Sequence, residues 1–565
     1  MAIRYGDHIE STTPEGNLNR PDELVFLPLG GTGEIGMNLN LYGFGGKWLM
    51  VDLGISFADD TMPGVDIIMP DPSFIVERKH DLLAIVATHG HEDHIGAIPH
   101  LWSQLRCPIY ATPFTASLLR MKLADAGLLR DATIIEVPLS SHFEIGPFRL
   151  ELITLTHSIP EPNALVIRTD AGTVLHTGDW KFDPDPLIGD VSDFAALERL
   201  GQEGIAALIG DSTNALKPGE VGSEADVRRS LIELVSQCKK RVAIGCFASN
   251  VARLQSAAVA AYANGRTPAL VGRSLHRMEQ AARENGYLED TPPFIDAEDA
   301  AELPPEKVLL ICTGSQGEPR SALYRIAAQD HPDIDLSPGD TVIFSSRIIP
   351  GNERSIGRLH NQLVRRGIEI ITENDHFVHV SGHPAQDELT RMYQLVRPQL
   401  ALPVHGESRH LIAHAKLAAD CQVPHTVVAE NGDMVRLCPG PPGIIDHVDT
   451  GRLGLDGKNL VSLAGGAFKM RNRITLNGAA VATILLDGNG KFAAPPQVTM
   501  HGLLGDSTAV VTQIGELIEK NVLGMTAALR RDDEAVRDTV RAAVRRVVQG
   551  SHGKKPVTDV HLFRV

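Results

Sequence analysis

The sequence predicts an α/β protein in which one domain is interrupted by a second and followed by a small α+β domain. Two observations suggest the interruption. Strands and helices alternate after about residue 211, and short apolar runs followed by polar loop residues, as in the first 210 residues, return between 369 and 405. A third is the length of 565 residues. Because domains usually span about 100–200 residues, this length allows about three of them.

The first segment is predicted to consist of strands whose C-terminal tips carry functional loops. The runs "LVFLPLGG", "WLMVDLG" and "LLAIVATHG" are apolar and end in Gly, Asp or His, and "RLELITLTHSIP" and "GTVLHTGDW" repeat the design. Short apolar runs bounded by turn residues are typical of buried strands. We therefore expect residues 1–210 to form the first part of a domain that resumes at 368–447, where "IEIITEN", "HFVHVSGH" and "LALPVHGE" occur.

The interrupting segment, residues 211–367, is predicted to be a parallel α/β domain. The runs "RVAIGCF", "TPALVG", "KVLLICTG" and "DTVIFSS" are almost continuously apolar, and a helix containing "SNVARLQSAAVAAYA" lies between the first two. Strands of this kind are typical of a parallel sheet that is covered by helices on both faces.

The last segment, residues 448–565, is predicted to be a linker and a small α+β domain. It follows a Gly/Pro-rich boundary, "CPGPPGIID". Strands are expected in "VATILLDGNG", "APPQVTMHGLL" and "VTDVHLFRV", and helices at about 508–526 and 532–549. The second helix has valines opposite arginines at amphipathic spacing, so its basic face could be solvated, contact another subunit or bind RNA. These residues are Val536, Val540, Val544 and Val547, and Arg537, Arg541, Arg545 and Arg546.

Composition indicates a soluble, cytoplasmic globular protein. Hydrophobic residues make up 43% of the chain and charged residues 22%. The polar N-terminus lacks the apolar core of a signal peptide, and no stretch of about 18 apolar residues predicts a membrane span. The six cysteines form no CxxC pair and are too sparse for a disulfide framework.

The formal charge of −17 argues against general binding to nucleic acids or membranes, because phosphate binding depends on cationic contacts. A polyanionic substrate therefore requires a local basic channel. Candidates for this channel are Lys181, Arg253, Arg277, Arg347 and Arg354, although a surface charge without function is the more common case for any single one.

A metal site is predicted in "ATHGHEDHIGAIPH". In an extended or tightly turned loop, residues two apart point the same way, so His89 and His91 can hold one ion. Asp93 and His94 can then hold a second ion nearby. Imidazole and carboxylate are typical ligands of zinc or manganese. The alternative is a His-rich surface turn.

Two further candidate ligands lie at predicted strand tips. They are His157 in "TLTHSIP" and Asp179 in "LHTGDW". Functional side chains are common on loops that follow strands. Taken alone, each could be a hydrogen-bonded structural residue; together with HxHxDH they predict a larger metal cluster.

The order of HxHxDH, a later His and an Asp in "TGD" resembles the metallo-β-lactamase fold, an αββα sandwich with metal ions at one edge. The resemblance implies that His89, His91 and His157 hold one ion and that Asp93 and His94 hold the second. It also implies that Asp179 bridges the two. Because this fold catalyses lactam, thioester and phosphodiester hydrolysis, the reaction must be inferred from the rest of the chain.

Motifs in and after the inserted segment favour phosphodiester hydrolysis among these reactions. "LIGDSTNA" with Asp211, "HVSGHPAQDEL" with His383 and "LPVHGESRH" with His405 resemble the motifs of the β-CASP nucleases, which carry such an inserted domain. The motif order over about residues 22–450 is similar to the bacterial ribonuclease J family. The motifs are "GGTGEIGMN", "THGHEDHIGAIP", "TGDWKFD", "DSTNA", "FASNVARLQ", "TGSQGEP", "SGH" and "PVHGE".

The resemblance implies a metal-dependent ribonuclease, acting as a 5′-to-3′ exonuclease and also as an endonuclease on single-stranded RNA in RNA maturation and decay. His405 would complete the shell of the second ion. Asp93 would also orient the attacking water or take its proton, and His383 would contact the scissile phosphate and protonate the departing oxygen. Asp211 would fix a histidine tautomer, or be a turn residue only.

Residues 379–383, "HVSGH", resemble the phosphate cradle of the family and imply a preference for a 5′-monophosphate end. The cradle residues are His379, Val380, Ser381, Gly382 and His383. Gly382 is expected to let the backbone approach an anion, whereas Pro384 has no N–H to donate. Ser249, Asn250 and Arg273 follow strands of the inserted domain and could line the RNA path. The alternative for Ser249 is capping of a helix.

The resemblance also implies cofactors and partners. We expect two divalent ions, with zinc preferred and manganese or magnesium as alternatives. A structural calcium could bind Gly64, Asp66 and Asp456, which could instead form only a turn. We expect a homodimer or homotetramer that binds single-stranded RNA and other RNA-decay proteins, but no membrane.

Two other functions compete with the ribonuclease. The first is a catalytically silent β-CASP subunit that binds RNA or a partner, which the intact set of seven ligands disfavours. The second is a metal hydrolase of small substrates, which the inserted domain and the cradle disfavour.

Overall fold

The computed structural model describes residues 21–59, 61–503 and 507–565, without the side chain of Ser507. The N-terminal segment 1–20, for which no signal peptide is predicted, lies outside these residues. The chain separates into two compact units. The first contains the residues up to Ser56 and Met69–Gly451, and the second contains Phe57–Ile68 and Arg452–Val565. Among the described residues, no helix combines the length and apolar character needed to cross a membrane.

The strands of the two units are numbered in chain order. They are β1 (Leu24–Gly30), β2 (Thr32–Gly33), β3 (Leu39–Phe44), β4 (Lys47–Val51), β5 (Ser56–Phe57), β6 (Ile67–Pro70), β7 (Leu82–Val86), β8 (Ile109–Ala111), β9 (Ile134–Glu136), β10 (His142–Ile145), β11 (Phe148–Thr154), β12 (Asn163–Thr169), β13 (Gly172–His176), β14 (Ala207–Asp211), β15 (Val242–Gly245), β16 (Thr267–Val271), β17 (Val308–Cys312), β18 (Thr341–Phe344), β19 (Glu369–Ile371), β20 (Leu400–Val404), β21 (Gly406–Glu407), β22 (His425–Thr426), β23 (Asp433–Cys438), β24 (Gly443–His447), β25 (Arg452–Asp456), β26 (Asn459–Ser462), β27 (Ala479–Leu486), β28 (Phe492–His501) and β29 (Val557–Arg564).

The helices are numbered in the same way. They are α1 (Ser73–Val76), α2 (Glu92–Ile95), α3 (Ile98–Leu105), α4 (Pro113–Asp125), α5 (Phe194–Glu203), α6 (Glu224–Gln237), α7 (Val251–Ala263), α8 (Arg273–Glu284), α9 (Ala297–Glu302), a 3-10 turn (Pro305–Lys307), α10 (Ala322–Ala327), α11 (Glu353–Arg365), α12 (Gln386–Val396), α13 (Ser408–Asp420), α14 (Gly466–Asn477), α15 (Ser507–Leu523), α16 (Ala527–Arg531) and α17 (Asp533–His552).

Two mixed sheets form the sandwich of the first unit. One has the strand order β24-β23-β1-β3-β4-β7-β8-β9 and the other β10-β11-β12-β13-β14-β20-β22. Buried apolar side chains of both sheets, such as Phe26, Val51, Leu150 and Ile209, share one core. Helices α5, α12 and α13 cover the outer face of the second sheet, and α4 packs against β8 and β9 of the first. The predicted αββα sandwich is confirmed.

The inserted segment forms a separate five-stranded sheet with the order β16-β17-β15-β18-β19. All four neighbouring pairs are parallel. Its strands are buried on both faces because α6 and α7 pack on one face and α10 and α11 on the other. The predicted parallel α/β domain is confirmed, and its near-continuous apolar strands follow from this two-sided cover.

The second unit contains a three-stranded sheet of order β28-β27-β29, with α15 and α17 packed on one face. The valines predicted to form the apolar face of α17 are buried in this core. A four-stranded sheet, β26-β25-β6-β5, completes the unit. The predicted helices and strands occur, whereas α14 and this four-stranded sheet were not predicted.

Candidate metal centre

The loops that carry the predicted metal ligands follow four strands whose C-terminal tips meet at one edge of the sandwich. HxHxDH begins after β7 and ends in the short helix α2, for which His91 is the N-cap. His157 follows β11, Asp179 follows β13, and His405 directly follows β20. The strands β13, β14 and β20 are parallel neighbours, which brings their following loops to the same edge.

The first cluster contains His89, His91, His157 and Asp179. His91 Nδ1 lies 3.1 Å from His89 Nε2 and 3.0 Å from His157 Nε2. Asp179 Oδ2 lies 3.9 Å from the Nε2 atoms of both His89 and His157. Ligand bonds of roughly 2.0–2.1 Å in a tetrahedral site separate neighbouring ligand atoms by about 3.3 Å. The spacing of this cluster therefore fits one ion.

The second cluster contains Asp93, His94, Asp179 and His405. Asp179 Oδ2 lies 3.1 Å from His94 Nε2 and 3.4 Å from His405 Nε2. Asp93 Oδ2 lies 3.7 Å and 3.6 Å from the same two nitrogens. Because Asp179 belongs to both clusters, its carboxylate lies where it could bridge two ions. All seven predicted ligands are thus brought together.

The donor chemistry of the clusters fits divalent metal. His405 Nε2 is buried and has no hydrogen-bond partner among the described residues. A buried nitrogen without a partner costs free energy unless it binds a ligand such as a metal ion. Burial lowers the pKa of His89 and His157 well below the usual range, and the pKa of His91 falls to about 4. These imidazoles are neutral at pH 7, as metal ligands must be.

The carboxylate at the centre keeps its negative charge despite burial. Burial favours the neutral form of Asp179, but His405 and His94 outweigh it and hold the pKa well below the usual range. Burial likewise opposes a charge on His94, whereas Asp179 and Asp52 raise its pKa well above the usual value. The centre therefore holds a fixed negative charge, which suits a cation, and a metal ion at His94 would take the place of a ring proton.

Asp52, which was not among the residues predicted from the sequence, supports the second cluster by contacting His94 on the side away from Asp179. Its Oδ2 accepts a hydrogen bond from His94 Nδ1 at 2.6 Å, so Nε2 of that ring faces Asp179. Thr88 fixes the carboxylate through its backbone N–H at 2.8 Å and its hydroxyl at 2.9 Å. A carboxylate behind a metal-binding histidine sets the ring tautomer. The available signal was the Asp that ends the strand run "WLMVDLG".

Asn38 supports both Asp93 and His405. Its Nδ2 donates to the Asp93 carbonyl at 3.0 Å and lies 3.0 Å from His405 Nδ1. The loop after Asp52 must pass close beneath these residues, since a Cβ on Gly54 would lie 1.6 Å from the Asp93 carbonyl oxygen. The motifs "GGTGEIGMN" and "VDLG" thus position metal ligands that lie elsewhere in the chain.

His383 and Asp211 lie beside the clusters and contact each other. His383 Nδ1 lies 2.8 Å from Asp211 Oδ2 and 3.8 Å from Asp179 Oδ2. Burial opposes a charge on His383, but Asp211 and Asp179 outweigh it and raise its pKa to about 9. With Nδ1–H directed to Asp211, the other ring nitrogen, Nε2, is available to a substrate. The side chain is 21% exposed, so this nitrogen can be reached.

The 379–383 loop lies against the first cluster. The carbonyl of Gly382 accepts a hydrogen bond from His157 Nδ1 at 2.5 Å, and a Cβ on Gly382 would lie 2.7 Å from the same ring. The missing side chain of Gly382 therefore makes room for a metal ligand, and the approach of an anion to its backbone stays a prediction. Val380 is buried in the core of the inserted domain, so its side chain cannot contact RNA. His379 Nδ1 is buried without a partner among the described residues.

The residues predicted to line the RNA path divide into two groups. The prediction that Asn250 lines the RNA path needs correction, because this residue is buried. Its side chain caps the start of α7 by accepting from Arg253 N, and it donates to Glu224 at 3.1 Å. The suggested capping residue Ser249 is half-buried beside it and does not cap the helix. Arg273 is exposed at the start of α8 and remains a candidate.

Two of the five cations predicted for the basic channel are buried in ion pairs. Arg253 is buried in a bidentate pair with Glu224, and Lys181 is buried against Asp183 at 2.8 Å. Neither cation can face RNA. Arg277 is exposed and pairs with Asp125. Arg347 and Arg354 are exposed on the inserted domain.

The three residues proposed for calcium lie in the second unit. Asp456 pairs with Arg471, whose guanidinium also lies 3.2 Å from where a Cβ on Gly64 would be. A calcium ion bound to Asp456 would have to displace this arginine. The calcium site therefore stays a prediction.

Four family profiles match successive parts of the chain. They are the metallo-β-lactamase superfamily (residues 38–236), the ribonuclease J β-CASP domain (239–363), the Zn-dependent metallo-hydrolase RNA specificity domain (367–427) and the ribonuclease J C-terminal domain (466–565).

Full-length relatives carry the same name. A protein named Ribonuclease J from Sinorhizobium meliloti is 42% identical over 97% of this chain and 99% of its own length. One of that name from Mycolicibacterium smegmatis is 38% identical over 95% of this chain and 96% of its own length. A crystal structure of a protein of unknown function from Enterococcus faecalis covers 73% of the chain with a TM-score of 0.52 at 15% identity, a likeness of fold alone.

Proposed function

The chain belongs to the ribonuclease J family, and on this premise we propose that it is a dinuclear metal-dependent RNA phosphodiesterase. The observation that carries the proposal is the pair of clusters that share Asp179. We propose zinc for both ions, with manganese or magnesium as alternatives, since nitrogen and carboxylate donors without thiolate suit these metals. His89, His91 and His157 would hold one ion, and Asp93, His94 and His405 the other. Bound ions of this kind supply Lewis acidity and make water nucleophilic near neutral pH.

The protein side chains would manage the protons of hydrolysis. The oxygen of water bonds to phosphorus as the bond from phosphorus to the 3′ oxygen breaks. Asp93, whose side chain is 30% exposed, would take a proton from the attacking water. His383, held protonated by Asp211 and Asp179, would give its Nε2 proton to the departing 3′ oxygen. Asp211 would keep that ring oriented.

We propose 5′-to-3′ exonuclease activity that prefers a 5′-monophosphate, together with endonuclease activity. Breaking the bond to the 3′ oxygen leaves the phosphate on the downstream RNA, which is then again a 5′-monophosphate end. A preference for such an end therefore supports repeated removal of nucleotides. Ser381 and His379 would face the terminal phosphate, and Arg273, Arg347 and Arg354 are the exposed cations that could follow the RNA.

We also keep the domain boundaries near residues 210, 367 and 447 as a proposal. The start of the insertion at 211 is supported by the packing of α6, whose apolar face lies in the core of the inserted domain. The metallo-β-lactamase profile instead extends to residue 236. The homodimer or homotetramer likewise remains a proposal, and so does the contact with other RNA-decay proteins.

One assay tests the proposed function. Metal-loaded protein is incubated with 5′-monophosphorylated and 5′-triphosphorylated single-stranded RNA of one sequence, with His89→Ala as the control. We expect the wild type to degrade the monophosphorylated RNA faster and the variant to be inactive. If neither RNA is cut while metal is bound, the nuclease proposal is wrong and a silent RNA-binding subunit becomes the better account.

A further inference from the structure

Asn214, in the "DSTNA" motif, connects its own segment with the 379–383 loop and with Arg347. Its side chain is buried, at 5% exposure. Nδ2 donates to Ser381 Oγ at 2.8 Å and to the His383 carbonyl at 2.9 Å. Its Oδ1 accepts a hydrogen bond from Arg347 Nη1 at 3.3 Å. The orientation of the amide is fixed, because a backbone carbonyl can only accept and a guanidinium can only donate.

These bonds determine what the Ser381 hydroxyl can do. Ser381 Oγ accepts from Asn214 Nδ2 and also from the backbone N–H of His383 at 3.2 Å. A hydroxyl has two lone pairs and one hydrogen, so both lone pairs are used and only the hydrogen remains. That hydrogen has no acceptor among the described residues. The hydroxyl is therefore left to act as a donor, which suits an acceptor such as a phosphate oxygen.

Arg347 adds positive charge to the same place. It is exposed on the loop after β18, and the Asn214 contact fixes one end of its guanidinium beside the 379–383 loop. His379 Nδ1, buried without a partner among the described residues, lies on the same loop. A donor hydroxyl and a tethered guanidinium thus lie beside the metal clusters, and the unpartnered imidazole nitrogen belongs to the same loop as the hydroxyl.

We propose that Asn214 is a positioning residue for recognition of the RNA 5′-phosphate: it makes Ser381 an obligate donor and holds Arg347 toward the same phosphate. This inference rests on the proposed ribonuclease function and deepens it. It assigns the 5′-end preference to an amide that touches no RNA.

The substitution Asn214→Asp tests the inference, because it keeps the shape and reverses the hydrogen bonding. The new carboxylate would accept the Ser381 hydrogen, turn the hydroxyl away from the phosphate and add a negative charge nearby. Asn214→Ala removes the bonds but adds no charge and leaves the hydroxyl free to rotate. We therefore expect the preference for 5′-monophosphorylated over 5′-hydroxyl RNA, measured as a ratio of kcat/KM, to fall by about tenfold or more in Asn214→Asp and by less in Asn214→Ala.

A matched control separates recognition from general destabilisation. Asn264 donates from Nδ2 to the carbonyls of Ile232 and Ala260 at 3.0 and 2.8 Å, outside the site. Asn264→Asp also loses two donor bonds, so we expect a lower Tm with an unchanged 5′-end ratio. A merely structural role for Asn214 predicts the reverse order, with Ala at least as harmful as Asp.

The outcomes are distinguishable. If the wild type cuts no RNA, the proposed function fails first. If the wild type prefers the 5′-monophosphate and Asn214→Asp loses that preference while binding the same number of metal ions, the inference is supported. It is overturned if Asn214→Asp keeps the wild-type ratio, or if Asn214→Ala reduces the ratio more than Asn214→Asp does.

Discussion

The metal clusters and the 379–383 loop lie side by side, yet their side chains are held in different ways. In the clusters, several ligand rings are fixed through a second nitrogen: His94 by Asp52, His157 by the Gly382 carbonyl and His405 by Asn38. The 379–383 loop is tied instead through Asn214, which makes two of its bonds. Each of these cluster rings thus has a supporting partner of its own, whereas one residue, Asn214, bonds both the Ser381 hydroxyl and the His383 carbonyl. Metal binding should therefore resist changes in supporting residues better than substrate recognition does.

The largest expected effect comes from Asp179→Asn, because Asp179 is the ligand that the clusters share. Loss of the shared negative charge should weaken the binding of both ions. It should also lower kcat by roughly a thousandfold, since metal ions supply several kcal/mol of transition-state stabilisation. Metal content by mass spectrometry and RNA turnover measure the two effects. Asp170→Asn, at a carboxylate that is 85% exposed, is the control and should behave as wild type. A variant at position 179 that binds two ions and turns over normally would contradict the shared-ligand account.

His383→Gln should slow cleavage strongly without affecting metal binding. Glutamine cannot transfer a proton, and the loss of general acid catalysis typically costs about 10²–10⁴-fold in rate. Single-turnover cleavage and metal stoichiometry, measured on the same preparation, check this. Should the variant lose its ions instead, His383 would have to be reassigned as a ligand, as its proximity to Asp179, Asp211 and His405 also allows.

Asp52→Asn should have a smaller effect, on metal affinity alone. The amide can no longer accept the His94 Nδ1–H bond with a full charge, and such supporting contacts are typically worth about 10–100-fold in affinity. Activity should return when excess metal is added. Separate support of each cluster ring is contradicted if saturating metal restores nothing although the protein remains folded.

The sequence predicted the clusters well because their signal is local or repeated at strand tips. HxHxDH has its spacing within six residues, and His157, Asp179 and His405 each follow a strand that ends at the same edge. The supporting residue Asp52 followed the same rule in "WLMVDLG", but a single aspartate there carries no distinguishing pattern.

The sequence could not show which of the candidate RNA-binding residues are buried, because burial depends on partners far along the chain. Arg253 looked like a free cation, but Glu224, 29 residues earlier, holds it inside the inserted domain. Asn250 is also held inside this domain, because its side chain donates to the same Glu224. Gly382 has its role through His157, 225 residues away. Sequence position alone shows neither which charges are neutralised nor which glycine faces a side chain.

The smallest expected effect concerns the exposed cations. Arg273→Met should lower RNA affinity only a few fold and reduce the slope of log affinity against log salt by about 0.7–1, as expected for one lost phosphate contact. Arg149→Met, at an exposed arginine paired with Asp170, is the matched control. If both variants keep the wild-type slope, Arg273 does not lie on the RNA path, and a wild-type affinity that is insensitive to salt would exclude a basic channel altogether.

The central claim is that the seven side chains would hold two divalent ions and that cleavage of RNA by this chain depends on both. Metal-depleted protein is titrated with zinc, and in parallel with manganese, while cleavage of 5′-monophosphorylated single-stranded RNA and bound metal are followed together. The account predicts that activity rises with bound metal and reaches its plateau at two ions per chain. Cleavage that persists in the metal-depleted protein, or a plateau at one ion per chain, would contradict it.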